Sequence, residues 1–164
     1  VNRISALALC LLLAPGVAAA QATGTKVAFG AIKADPTLPV EVTADTLDVN
    51  QSDGSAEFKG NVLVGQGEMR LSAKRVLVIY NQDNSGVERL EAVGDVVLVN
   101  GPDAAQAERA DYSIGSGVIV MTGDVLLTQG PNALTSDKMT VNLTTGTANM
   151  AGRVKTILQA DDNE

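Results

Sequence analysis

Phe58-Lys59-Gly60-Asn61-Val62-Leu63-Val64 returns in outline three times, as Ala92-Val93-Gly94-Asp95-Val96-Val97-Leu98, Met121-Thr122-Gly123-Asp124-Val125-Leu126-Leu127 and Met150-Ala151-Gly152-Arg153-Val154-Lys155-Thr156. Each Gly-x-Val triplet follows a small residue: Ala44, Ala73, Ala107 and Ser136. From small residue to glycine the interval is 16, 21, 16 and 16 residues, and from glycine to the next small residue it is 13 every time. The unit is 29 residues, with five extra in the second copy, where Asn81-Gln82-Asp83-Asn84-Ser85-Gly86 makes a longer turn. A fixed period of this size marks a repeat architecture.

Apolar residues fall at matching places in each unit. Leu47, Val76, Ala110 and Met139 form one column and Val49, Val78, Tyr112 and Val141 another. Phe58, Ala92, Met121 and Met150 stand two before the glycine; Val64, Leu98 and Leu127 stand two after the valine, where the fourth copy has Thr156. Residues two apart share one face of a strand, so the columns line one inner face. The odd step from Ala44 to Leu47 requires a bulge or bend that switches sides.

Glycine-containing turn signals separate the strands, among them Ser52-Asp53-Gly54, Gly65-Gln66-Gly67, Asn100-Gly101-Pro102, Gly115-Ser116-Gly117, Gly130-Pro131-Asn132 and Thr145-Gly146. The reading is all-β: a β-jellyroll, a twisted two-sheet sandwich of about four stacked repeats with open edges.

Outside the repeats, Arg3, the apolar run Ile4–Leu13, the breaker Pro15-Gly16 and Ala18-Ala19-Ala20 have the order of a secretory signal peptide over residues 1–20. Cys10 lies within it, and Leu9 before it is too large for a lipobox. Gln21 to Pro39 reads as a flexible lead-in, residues 40–158 as the repeat domain and 159–164 as an acidic tail. A domain without cysteine depends on burial, not disulfides.

Composition narrows the function. The 164 residues carry 12 basic against 19 acidic side chains, net −7, which disfavours nucleic acid. No histidine is present, so the commonest general base and zinc ligand is missing. Asp45 and Asp48 offer a carboxylate pair of the type glycosidases use, but aspartate beside a strand bend is ordinary turn chemistry. Repeated Gly-Asp lacks the density of calcium-binding β-rolls. No catalytic residue, metal site or cofactor is expected. Lys74-Arg75 and Arg153 with Lys155 read as solvated surface.

Three stretches then meet a family: Pro39-Val40-Glu41-Val42-Thr43-Ala44-Asp45, Phe58 to Gly67, and Leu71-Ser72-Ala73-Lys74-Arg75-Val76. With Thr122-Gly123-Asp124-Val125 and Leu134-Thr135-Ser136-Asp137-Lys138-Met139 they resemble, in order, the OstA-like domain across roughly Pro39 to Leu158. The resemblance implies a β-jellyroll in the periplasm that stacks edge to edge with relatives in an inner-membrane transporter and an outer-membrane translocon. It also implies an interior that carries lipopolysaccharide acyl chains. The inward residues of the first three layers, Val40, Val42, Val49, Val62, Val64, Leu98, Tyr112 and Ile114, are the expected lipid contacts. The end strands, Val40–Val49 and Ala148–Leu158, have no further repeat to pair with and are expected to join head to tail with copies or partners. The rival readings are a β-repeat scaffold of the cell envelope without lipid, and an exported carbohydrate-active enzyme.

Overall fold

The computed structural model describes residues 25–28, 35, 37–52, 54–82 and 86–158. The signal peptide and the acidic tail expected from the sequence lie outside these residues. Among the described residues eleven strands form one antiparallel sheet: β1 (Thr25–Ala28), β2 (Glu41–Thr43), β3 (Thr46–Asn50), β4 (Ser55–Gln66), β5 (Met69–Tyr80), β6 (Val87–Asn100), β7 (Asp103–Ser113), β8 (Val118–Gln129), β9 (Asn132–Asn142), β10 (Thr147–Ala151) and β11 (Lys155–Ile157). From β4 to β9 each strand pairs with its sequence neighbours. β2 and β3 both pair with β4, and β10 and β11 both pair with β9, so each pair is one strand broken in the middle.

The break falls at the repeated triplet. Gly60, Gly94, Gly123 and Gly152 have φ of +77° to +87°, and Asn61, Asp95, Asp124 and Arg153 after them have φ of +42° to +47°. At each corner two residues oppose one: Gly123 and Asp124 lie between the pairs Thr122↔Lys138 and Val125↔Ser136, against Asp137 alone. Such a bulge bends and twists its strand. Stacked in line, these bulges fold the sheet along one crease into two leaves. The two layers of the expected sandwich are therefore halves of one continuous sheet. Leaf I carries β2, β11 and the segments on their side of the crease; leaf II carries β3, β10 and the rest.

The sequence columns run across the sheet as ladders. Leu47, Phe58, Val76, Ala92, Ala110, Met121, Met139 and Met150 are successive cross-strand partners. So are Val42, Val64, Leu71, Leu98, Ala105, Leu127, Leu134 and Thr156 on leaf I. Beside the crease, Val62, Ala73, Val96, Ala107, Val125 and Ser136 alternate large and small, and all are buried. The outer face of leaf II carries two ion-pair chains that run within and between strands, Asp48–Lys59–Glu57–Arg75 and Arg89–Glu91–Arg109–Asp111.

Three readings need correction. The lead-in is not all irregular: Thr25–Ala28 forms β1, a segment too short to show a period in the sequence. The C-terminal end strand does have a partner within the chain, because β1 pairs with β10, Thr25 opposite Met150 and Val27 opposite Ala148. Gly65 and Gln66, read as part of a turn, belong to β4; the turn is Gly67-Glu68.

Candidate functional site

The inner ladders end differently at the two ends of the sheet. At the N-terminal end no strand lies beyond β3 among the described residues, and its inward side chains are exposed: Leu47 is 51% and Val49 64% exposed. With Ala56, half-buried Phe58, Tyr80 and the turn after Asn50 they line a groove of about 510 Å³.

The turns decide why the mouth is open at this end. Asn50–Ser55, Ser113–Val118 and Asn142–Thr147 are equivalent four-residue loops, each closing on a left-handed glycine: Gly54, Gly117 and Gly146. In the later loops the first residue is apolar and turns inward: Leu143 is 1% exposed, and Ile114 packs on the core. The first loop has Gln51 there, and it lines the groove. A polar side chain stays in water where leucine would seal the interior.

The opposite rim, on leaf I, is polar and tied down. Gln66, Asn100, Asp103 and Gln129 sit at the ends of the two-residue hairpins. In two of these hairpins glycine precedes proline, Gly101-Pro102 and Gly130-Pro131, with φ of +61° and +54° at the glycines; a primed turn needing φ > 0 only at its first centre fits that pair. The Tyr112 hydroxyl, carried on leaf II, donates to Gln66 Oε1 on leaf I, and Gln66 Nε2 donates to the Leu38 carbonyl at 2.9 Å. Burial pushes the Tyr112 phenol up to about 12. This contact joins the leaves across the interior.

The eight residues expected at the site divide into three groups. Val49 stands in the open mouth, with Val40 and Val42 half-buried near the same end. Val62, Val64, Leu98 and Tyr112 are at most 1% exposed and form sealed core. Ile114 packs at the loop end of the interior. Leu47, Phe58, Tyr80 and Gln51 line the groove as well but were not among the eight. Leu47 and Phe58 were visible as column members of the first unit; Gln51 was visible only by aligning the loops.

The edges are the second feature. β2 and β3 present an unpaired outer side among the described residues, and so does β11, whose last residue Ile157 and the following Leu158 are 53% and 72% exposed. Unpaired backbone on an edge strand is a template for strand addition.

Fold and groove together define a class: an open-edged all-β jellyroll with an apolar interior that reaches solvent at one end. Within that class the chain belongs to the LptA/(LptD N-terminal domain) LPS transport protein family, whose model matches residues 41–147. It is 29% identical over 116 residues to uncharacterized protein R00383 of Rhizobium meliloti (strain 1021), covering 66% of this chain and 61% of that one. It is 27% identical over 99 residues to lipopolysaccharide export system protein LptA of Haemophilus influenzae, covering 56% and 58%. The matches span about three fifths of the length of these relatives. The crystal structure of LptH, the LptA-homologous periplasmic component of the lipopolysaccharide transport device of Pseudomonas aeruginosa, shares the fold: TM-score 0.69 at 19% identity, over 77% of this chain and 99% of that one.

Proposed function

We propose that this chain is a periplasmic carrier and bridge for lipopolysaccharide, without chemistry of its own. Acyl chains enter at the mouth by Leu47 and Val49 and lie along the inner ladders. The edges join it, strand to strand, to an inner-membrane transporter on one side and an outer-membrane translocon on the other. In this reading residues 1–20 direct export and are removed, and residues 40–158 do the work.

The observation that carries the reading is the open end of the ladders. Apolar side chains that continue a buried core and then meet water offer ready burial to hydrocarbon, at about 0.8 kcal/mol per methylene. Net charge of −7 repels lipid phosphates, so apolar burial supplies the affinity. Val40, Val42 and Val49 make the first contacts and Ile114 borders the loop end. Val62, Val64, Leu98 and Tyr112 take part as the leaves part, with Tyr112–Gln66 the contact that yields. The sequence holds no nucleotide-binding loop, so direction comes from the partners.

Photocrosslinking in cells tests this, with the probe at Leu47, Val49 or Val42 and controls at the outward positions Lys138 and Thr122. Lipopolysaccharide adducts at the inner positions only are expected. Folded protein that forms edge contacts yet gives no adduct there would leave a lipid-free scaffold.

A further inference from the structure

The repeat prescribes what belongs beside β10 and β11. Across the sheet each strand with a Gly-x corner is followed by a strand with a small residue and a charge at its corner: Gly60 by Ala73-Lys74, Gly94 by Ala107-Glu108, Gly123 by Ser136-Asp137. Gly152-Arg153 is the last Gly-x corner, and no such strand follows it among the described residues. Among the described residues, Ala44-Asp45 between β2 and β3 is the small-charged corner with no Gly-x corner before it.

Carrying the register of β8 and β9 one step on places a second copy's Thr46 opposite Ala151, Leu47 opposite Met150, Val49 opposite Ala148 and Ala44 opposite Val154. Lengths agree: β3 and β10 have five residues each, β2 and β11 three each. Arg153, which holds Asp137 on one side within the chain, would have Asp45 of the copy on its other side.

β1 lies in that place. It sets Thr25 opposite Met150 and Val27 opposite Ala148, the two positions that the repeat register assigns to Leu47 and Val49 of a following copy. Its hold is short: four residues, with Gln129 Nε2 donating to the Ala28 carbonyl. It pairs with β10 only and leaves β11 open. We infer that β1 is a stand-in for β3 of a second copy, and that it must leave β10 before the C-terminal edge accepts one. The inference rests on the head-to-tail reading above and adds a gate to it. A free copy thereby covers the longer half of its own adhesive edge, and assembly waits on strand exchange.

The test mixes full-length chains, Cys10→Ser throughout, one bearing Thr46→Cys and the other Ala151→Cys, and reads the yield of disulfide-linked dimer under mild oxidation. The second chain is made with and without Lys26→Pro and Val27→Pro. Backbone N–H groups alternate in direction along a strand, so two successive prolines remove whichever donor faces β10. Circular dichroism confirms the fold, and thiol titration confirms that both cysteines are reactive. The proline pair is expected to raise the dimer yield several-fold at equal concentration. An equal yield would overturn the gate and leave head-to-tail pairing standing. A lower yield would make β1 part of the joint and overturn the gate. No dimer from either chain would overturn both.

Discussion

At the residue scale the corner glycines carry the architecture. A Cβ on Gly123, at φ +86°, would stand 2.6 Å from the Glu108 carboxylate and 2.8 Å from its Cβ. Gly101, at φ +61°, has nothing within 4 Å. Both substitutions by alanine meet the left-handed backbone penalty of about 1–2 kcal/mol. Gly123→Ala must displace Glu108 as well, so its denaturant midpoint should fall distinctly further than that of Gly101→Ala.

Tyr112 gives a second prediction at this scale. Its folded-state pKa lies above the unfolded value, so the protonated phenol favours the fold. That stability is complete below about pH 10 and is lost as pH rises towards about 12. The loss amounts to about 2–3 kcal/mol. Unfolding titrations at pH 9 and pH 11.5 should show it in the native chain and show less in Tyr112→Phe. The phenylalanine variant should be weaker at pH 9, by about 1–3 kcal/mol, because Gln66 Oε1 loses its donor.

At the scale of the element, each strand is two short strands joined at a bulge, and burial differs along it. Leu98 and Val49 are both inward by period, yet one is 0% and the other 64% exposed. Leu98→Ala should cost about 2–5 kcal/mol in a denaturant titration. Val49→Ala should leave stability within about 0.5 kcal/mol, and under the carrier reading should weaken lipopolysaccharide binding. The ion pairs on the outer face of leaf II matter less. Arg109 holds Glu91 and Asp111, and this pairing lowers the Glu91 carboxyl below its ordinary range. At that exposure such pairs contribute about 0–1 kcal/mol each.

At the scale of the whole molecule the sheet has two unlike ends, one with an open mouth and bare edge, the other with β1 laid on it. Binding dominated by apolar burial on an acidic surface has a plain signature. Under the carrier reading, raising the salt from 0.05 to 0.5 M should hold or strengthen lipopolysaccharide affinity, measured on purified protein, because screening relieves repulsion between like charges. A tenfold loss would instead point to attraction between basic side chains and phosphate.

The sequence by itself determined the repeat, and the repeat determined most of the fold. Gly-x-Val at a 29-residue period set the bulges, and period-two columns became cross-strand ladders, since both depend on near neighbours in the chain. Only the tertiary structure decided which inward residues are sealed and which open. Val49 and Val78 share a column, but among the described residues Val78 has strands on both sides and Val49 has one on one side. Burial depends on what lies beyond a strand, and no local pattern encodes that. The same holds for β1: four residues carry too little periodicity to announce a strand, and they become one because β10 presents unpaired backbone.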